Sequence, residues 1–460
     1  MQQLEQLLGS MGWGRYHSYL FWACGFVSAM QGWASDMMWL MLVSVVLNEV
    51  GGPWGLSDFT LSLYAMSQSA GVFIGSYFWG CMADRRGRMF AFKKTLVLCG
   101  FAGCIASVSA NFTMLCIMAF IVGIGVGGDL AVDGTVFIEF CPKSDRHMLT
   151  LMSAVCVLGS MLVPALAYAY TMMGMESTWR WVMGTVSLLN LVFAVMRWKA
   201  LETPHFYLAG GRVEAANRVL VQLSAYNGSS LSSLPLELQP CCHTLMEPRP
   251  EVSIRRQVQR LFSCRLRSTT ICFLLIWFFT AFTFSGFGVF MPQFLKRAGG
   301  PEHSSDADVY SAMTLQQGIG VISVLAATVG VKSRLGRKWS QALALLASSV
   351  FMYVFLAPFA YWAVVLCSTL FYLFGLVAFS VQYTYTPESF PADVRNTGVG
   401  FCSAANRLAS IVSPLLAGAL LDRGAGDAII LYSASLCIAG LLGALTRETQ
   451  GADIEAEAAT

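Results

Sequence analysis

The sequence predicts an all-α integral membrane protein of twelve transmembrane helices, arranged as two six-helix bundles. Three observations predict it: an apolar composition, twelve long apolar stretches, and a repeat that maps one half of the chain onto the other. The 460 residues are 56% hydrophobic and 12% charged, where an ordinary soluble domain carries roughly 25% charged residues. A water-soluble chain this apolar could not cover its own surface. A formal charge of +3 with no basic tail gives nucleic acid no footprint.

A spanning helix needs about 20 mostly apolar residues. The stretches at roughly 19–47, 58–80, 92–110, 113–138, 148–173 and 179–198 qualify in the first half. Those at roughly 269–293, 309–331, 339–358, 361–386, 396–421 and 427–445 qualify in the second. They are continuous rather than alternating, which argues against a membrane barrel. Residues 1–18 are mixed polar, with Glu5 and Arg15. The apolar run that follows is too long for a signal peptide, so it is expected to remain as the first span.

Lysine and arginine set the orientation. Of the 29, Arg180, Lys296, Arg297 and Arg423 fall in loops on one side and Arg407 lies within a span. All the others gather on the opposite side. The positive-inside rule makes that side, and both termini, cytoplasmic. Which membrane is involved stays open. The expected organisation is a cytoplasmic segment 1–18, a bundle 19–198, a basic linker 199–268, a second bundle 269–445 and a cytoplasmic tail 446–460. A short amphipathic helix is expected near 254–266, with Ile254, Val258, Leu261 and Phe262 on one face.

The two halves repeat. Glu139-x6-Arg146 recurs as Glu388-x6-Arg395, an offset of 388 − 139 = 249 residues. Pro142 and Pro391 share the offset, as do Gly87-Arg88 and Gly336-Arg337. Glu202-Thr203 and Glu448-Thr449 keep it to within a few residues. Each pair closes the equivalent span of its half. Parallel six-helix repeats of this kind are characteristic of transporters that alternate access between two bundles.

On these residues the chain resembles the major facilitator superfamily over nearly its whole length. Gly80-x3-Asp84-Arg85-x-Gly87-Arg88 is similar to the signature loop between spans 2 and 3. The duplicated Glu-x6-Arg, Glu202-Thr203-Pro204 and Glu448-Thr449 resemble the sugar-porter-type subset. Gly123-x-Gly125-x-Gly127-Gly128-Asp129 through Asp133, leading into Glu139-Phe140, resembles the branch of synaptic-vesicle-2-related proteins and organic ion transporters. Three departures stand out. Ser333 replaces the aspartate of the second signature loop, and Ala119 replaces an arginine usual in this branch. Span 7 lacks the paired glutamines of sugar porters; Gln316-Gln317 lie on span 8.

The resemblance implies gating roles for Gly80, Asp84, Arg85, Gly87 and Arg88, with Asp84 contacting the start of span 11. It implies the same for Glu139, Arg146, Glu202, Gly336, Arg337, Glu388, Arg395 and Glu448, with each Glu and Arg of the repeated motif linking helices. Charged side chains inside a span are costly, so each is a candidate functional group. Asp129 and Asp133 share one face of span 4 and are expected to gate. Asp36, midway along span 1, carries either a coupling proton or a structural contact. The resemblance to organic-anion carriers of this branch implies that Arg407 would grip a substrate carboxylate bidentately; the alternative is a pair with an acid such as Asp36, and both roles can coexist. Trp33, Phe282, Phe284, Tyr383 and Tyr385 are the candidate aromatic lining.

The 14 cysteines lie mostly inside apolar runs and show no disulfide spacing. Cys241-Cys242-His243 lacks a second ligand pair, so no metal site is expected. With no ATP-binding motif and no nucleophile–base pair, neither an enzyme nor a cofactor is expected. Asn111-x-Thr113 sits in a loop too short for a glycan. The expected function is secondary active transport of a small organic ion, leaning to a carboxylate and with protons as a coupling ion. The partners are that solute and the lipid bilayer, and the protein is expected to be a monomer. A sugar or polyol porter, or a non-transporting receptor on the same fold, are the alternatives.

Overall fold

A computed structural model describes residues 29–140, 148–227, 254–299, 305–357, 361–391 and 394–449. Arg15, Pro142, Lys143, Arg146 and Cys241-Cys242-His243 lie outside the described residues. Among the described residues all regular structure is helical. In the first half run α1 (Ala29–Trp54), α2 (Asp58–Arg86), α3 (Arg88–Ser107), α4 (Phe112–Phe140), α5 (Met148–Met172) and α6 (Thr178–Arg197). Between the halves lie α7 (Pro204–Ala209), α8 (Val213–Asn227) and α9 (Ile254–Leu261). The second half holds α10 (Arg267–Val289), α11 (Met291–Gly299), α12 (Asp306–Gly318), α13 (Gly320–Lys332), α14 (Gly336–Val354), α15 (Tyr361–Glu388), α16 (Arg395–Leu421) and α17 (Ala425–Leu445).

Every predicted span meets a helix among the described residues; span 7 ends as α10 at Val289, with α11 starting at Met291, and span 8 is interrupted near its middle. Span 8 becomes α12 and α13, which part at Ile319 between Gly318 and Gly320, where the helix lacks side-chain support on both sides. Among the described residues, eight helices are long and apolar enough to cross a membrane. Large apolar side chains such as Tyr77, Phe101, Val195 and Leu445 are exposed, an exterior suited to lipid. Asn111, the sequon residue, accepts from the Met114 N–H at 2.8 Å and so caps α4.

The chain forms two compact units. The first gathers Met1–Trp39, Ala70–Ser160 and Arg180–Glu251. Within it α2 and α4 meet backbone to backbone. A Cβ on Gly71 would stand 2.2 Å from the Phe120 carbonyl oxygen, and one on Gly75 would stand 2.1 Å from that of Ile124. Glycine permits this approach. Trp79, Phe92, Val132 and Phe140 share a core with Leu220 and Leu223 of α8. The linker thus holds a docked amphipathic helix, with Ala216, Val219, Leu220 and Leu223 buried at helical spacing.

The second unit gathers Leu40–Ser69, Met161–Trp179 and Val252–Thr460. In it α10 packs on α16 and α17, and α14 packs on α15 and α17. Phe273, Trp277, Val381, Tyr385 and Phe390 form its core, together with Leu261 at the end of α9. Phe262 is exposed, so the apolar face of α9 is shorter than the expected one. The repeat divides the chain at the linker, whereas contacts assign the parts of α1, α2 and α5 within Leu40–Ser69 and Met161–Trp179 to the second unit. The cause is a set of hydrogen bonds and ion pairs described below.

Candidate functional site

The first charged constellation is built on the turn between α2 and α3. Gly87 holds φ +108, a conformation that side chains avoid. A Cβ there would meet Glu202 Oε2 at 2.3 Å. The Glu202 carboxylate instead occupies that space. It accepts from the backbone N–H groups of Arg88 at 3.0 Å, Met89 at 3.1 Å and Thr203 at 3.0 Å. An acid borrowed from beyond α6 thus caps α3, where unpaired N–H groups and the helix dipole favour negative charge. Burial pushes the Glu202 carboxyl above its ordinary value, against the pull of these hydrogen bonds. The Arg88 side chain lies 3.0 Å from Asp84, and its Nε donates to Glu139 at 3.3 Å.

The second half repeats the arrangement. Gly336 holds φ +67. Glu448 accepts from the backbone N–H groups of Arg337 at 3.0 Å and Lys338 at 3.1 Å, capping α14. Arg337 holds Glu388 with two hydrogen bonds, 2.9 and 3.3 Å. The Thr449 hydroxyl donates to the same carboxylate at 3.0 Å. Arg395 donates from Nε to the Phe390 carbonyl at 3.2 Å. The arginine that reaches each repeated glutamate is therefore the one after the positive-φ glycine. Asp84 is largely exposed, Arg85 is exposed, and Gly80 is half-buried with open space around it.

Asp129 and Asp133 lie deeper in the first unit, both fully buried. Between them stands a residue the sequence reading counted only as one of the cytoplasmic basic residues. Arg197, also fully buried, donates from Nη2 to Asp133 at 2.5 Å and from Nη1 to Asp129 at 3.2 Å. Its guanidinium lies 4.0 Å from the centre of the Phe92 ring and donates to the Phe92 carbonyl at 2.9 Å. The Thr95 hydroxyl donates to Asp129 at 2.5 Å. Two buried acids one turn apart on one helix demand a cation, and that was the signal available in the sequence.

The opposite end of the second unit holds a cluster that sequence reasoning also missed. Glu49 of α1 accepts from the Tyr310 hydroxyl at 2.8 Å and from the Trp179 N–H at 3.0 Å. Asn48 donates to Asp306 at 2.7 Å, and Lys296 pairs with the same acid at 2.7 Å. Arg297 pairs with Asp58 at 2.6 Å. Asp422 accepts from the backbone N–H groups of Asp58 and Phe59 at 3.1 and 3.3 Å, which caps α2. These contacts tie first-half segments to second-half helices, and so they explain the membership of the second unit. An acid at the end of a long apolar run, as Glu49 is, was the readable clue.

The expected substrate residues fall in both units. Asp36 is buried in the first unit, and Arg407 is half-buried on α16 in the second. Trp33 lies on α1, its side chain outside the described residues. Phe282 is buried against Phe278 and Tyr432, and Tyr383 is exposed with its ring edge-on to Trp277. Tyr385 is fully buried beside the second constellation, its hydroxyl bonded to Thr446 and to the Arg447 carbonyl. Phe284 lines a cavity of about 20 Å³ with Gln316, Gln317, Ser368 and Tyr372. That space holds roughly one water molecule.

The chain matches the family of sugar (and other) transporters over residues 16–456. The organic cation/carnitine transporter 7 of Arabidopsis thaliana is 27% identical, over 98% of this chain and 95% of that protein. The niacin transporter NiaP of Acinetobacter baylyi is 26% identical, over 96% of each. The fold matches the inward-open xylose transporter XylE from E. coli with a TM-score of 0.73 at 19% identity, covering 94% of this chain and 98% of that one. A twelve-span repeat with matching charged constellations in both halves, and a family match across nearly the whole chain, lead to one conclusion. The chain belongs to the sugar (and other) transporter family of the major facilitator superfamily, and it is a multi-pass membrane transporter of the sugar-porter type rather than an enzyme.

Proposed function

We propose that this transporter moves a small organic ion bearing a carboxylate, by alternating access, with its basic end cytoplasmic. The observation that carries the charge assignment is Arg407. It stands twelve residues beyond Arg395, about 18 Å along α16 at roughly 1.5 Å per residue. A charged side chain inside a span is costly, which marks the half-buried Arg407 as a functional position whatever else it contacts. A planar guanidinium matches a carboxylate with two hydrogen bonds. The niacin relative supports an acid and the organic cation relative supports the opposite charge, so the test sets the two against each other. The gating reading rests on the duplicated constellations around Arg88 and Arg337, whose partly exposed ion pairs are weak enough to break in each cycle.

Purified protein in proteoliposomes is offered labelled nicotinate, carnitine and xylose in competition. Nicotinate uptake is expected, lost in Arg407→Ala and partly kept in Arg407→Lys. Uptake that is indifferent to Arg407→Ala sinks the carboxylate assignment. Faster nicotinate uptake under an inward proton gradient is expected for proton coupling. A second reading, a sugar or polyol porter, draws on the neutral polar groups Gln316, Gln317, Ser368 and Tyr372 around the small cavity. Xylose uptake that survives Arg407→Ala and falls in Gln317→Ala would select it.

A further inference from the structure

We propose that Asp129 is a proton-binding site, loaded and unloaded inside the first unit. This rests on, and deepens, the proton-coupled reading. Asp129, Asp133 and Arg197 are each fully buried. Among the described residues one guanidinium, that of Arg197, serves both acids, and a buried carboxylate is costly to keep ionised unless it is fully answered. The geometry shows which acid is the less fully answered. Arg197 reaches both oxygens of Asp133, at 2.5 and 3.3 Å, and only Oδ1 of Asp129, at 3.2 Å. Thr95 bonds to the same Oδ1. Asp129 Oδ2 is buried with no hydrogen-bond partner among the described residues. A proton on that oxygen removes the charge of Asp129 without disturbing either bond on Oδ1. A proton is a ligand that needs no cavity.

The repeat supplies an internal control. At the 249-residue offset, Asp129 corresponds to Ala378, Asp133 to Gln382 and Phe92 to Gln341. At the offset of the Glu202 and Glu448 pair, Arg197 corresponds to Gly443. The second half therefore builds the same helices with no charge at any of these positions, so the fold does not require the triad. The surroundings favour a proton. Asp36 of α1 lies within electrostatic reach of Cys99 on α3, as do Asp129 and Arg197. Arg197 is the cation supplied by α6, and α2 presents Ser76 and Trp79 against Gly127 and Gly128. Helix α4 also carries Glu139, about 15 Å further on at roughly 1.5 Å per residue. One rigid helix thus joins the proton site to the Arg88 constellation.

Infrared spectra of the purified protein in lipid, recorded across pH, test this without a known substrate. Wild type is expected to show the carbonyl band of a protonated buried carboxyl. Asp129→Asn should remove it and Asp36→Asn should leave it. If Asp129→Asn does not fold, Thr95→Val gives the second readout. It deletes the hydrogen bond that favours the ionised acid, so the band should persist to higher pH. No band in wild type, a band untouched by Asp129→Asn, or a Thr95→Val band with an unmoved midpoint overturns the proposal. Nicotinate uptake under a proton gradient separates the two ideas. A band with gradient-blind uptake keeps the site and removes the coupling. Gradient-driven uptake with no such band keeps the coupling and removes the site.

Discussion

Arg88 and Arg337 stand at matching places in the two halves and hold their acids differently. Arg337 grips Glu388 with two hydrogen bonds, and Thr449 supports the same carboxylate. Arg88 meets Glu139 with one longer bond and shares its charge with Asp84. Ser333 occupies the place of that aspartate in the second half, donating to the Gly330 carbonyl at 2.7 Å. Beneath the looser constellation lies the charged triad; beneath the tighter one lie Gln341 and Gln382, buried and neutral. The difference teaches that the duplication preserved the helix caps and let the buried charge diverge.

The largest contrast should come from the triad. Arg197→Met leaves two buried acids without their cation and should cost about 3–5 kcal/mol, seen as loss of the folded peak or a deep drop in melting temperature in detergent. Gly443→Ala, at the corresponding place, should change stability by about 0.5 kcal/mol or less, because its Cβ would meet Ala342 at an ordinary 3.5 Å. Adding Asp129→Asn and Asp133→Asn to Arg197→Met should recover much of the loss. A triple variant no better than Arg197→Met would mean that packing, not charge, is at stake.

The glycines come next. Gly87→Ala combines a positive φ with a collision at Glu202 and should cost about 2–3 kcal/mol. Gly336→Ala faces only the left-handed backbone and should cost about 1 kcal/mol. Equal losses in thermal unfolding would mean that the Glu202 contact carries no weight. The arginines follow. Arg337→Lys forfeits a two-bond grip and should cost about 1.5 kcal/mol, whereas Arg88→Lys should cost about half of that. The smallest effect belongs to Asp84→Asn, within about 0.5 kcal/mol, because that carboxylate is largely in solvent.

Much of this architecture was legible. Apolar length located every span, since bilayer thickness imposes it, but it did not foresee the break at Phe290 or the interruption at Ile319, which two glycines flank. The repeated Gly-Arg, Glu-x6-Arg and Glu-Thr motifs located both constellations. Their internal pairing was not legible. The spacing suggested that Glu388 works with Arg395, yet Arg337 holds that acid while Arg395 donates to the Phe390 carbonyl; Arg146, the partner expected for Glu139, lies outside the described residues. Arg197 was hidden for a different reason. Counting basic residues by loop assigns each to water, while burial depends on where α3, α4 and α6 converge. Tyr385 precedes Glu388 by a single helical turn, a spacing that places it beside the constellation, where its hydroxyl bonds to Thr446 and the Arg447 carbonyl.

The backbone contact between α2 and α4 has a consequence for variation in the gene. At Gly71 and Gly75 even one added methyl group would press on a carbonyl oxygen little more than 2 Å away. Two residues beyond Gly75, Tyr77 is 79% exposed and free to become almost any apolar residue. A saturation library of α2 should therefore yield a sharply striped tolerance map, with forbidden and permissive codons alternating within one turn. Descendants of this sequence can repaint the lipid-facing side of that helix indefinitely while its other side stays fixed.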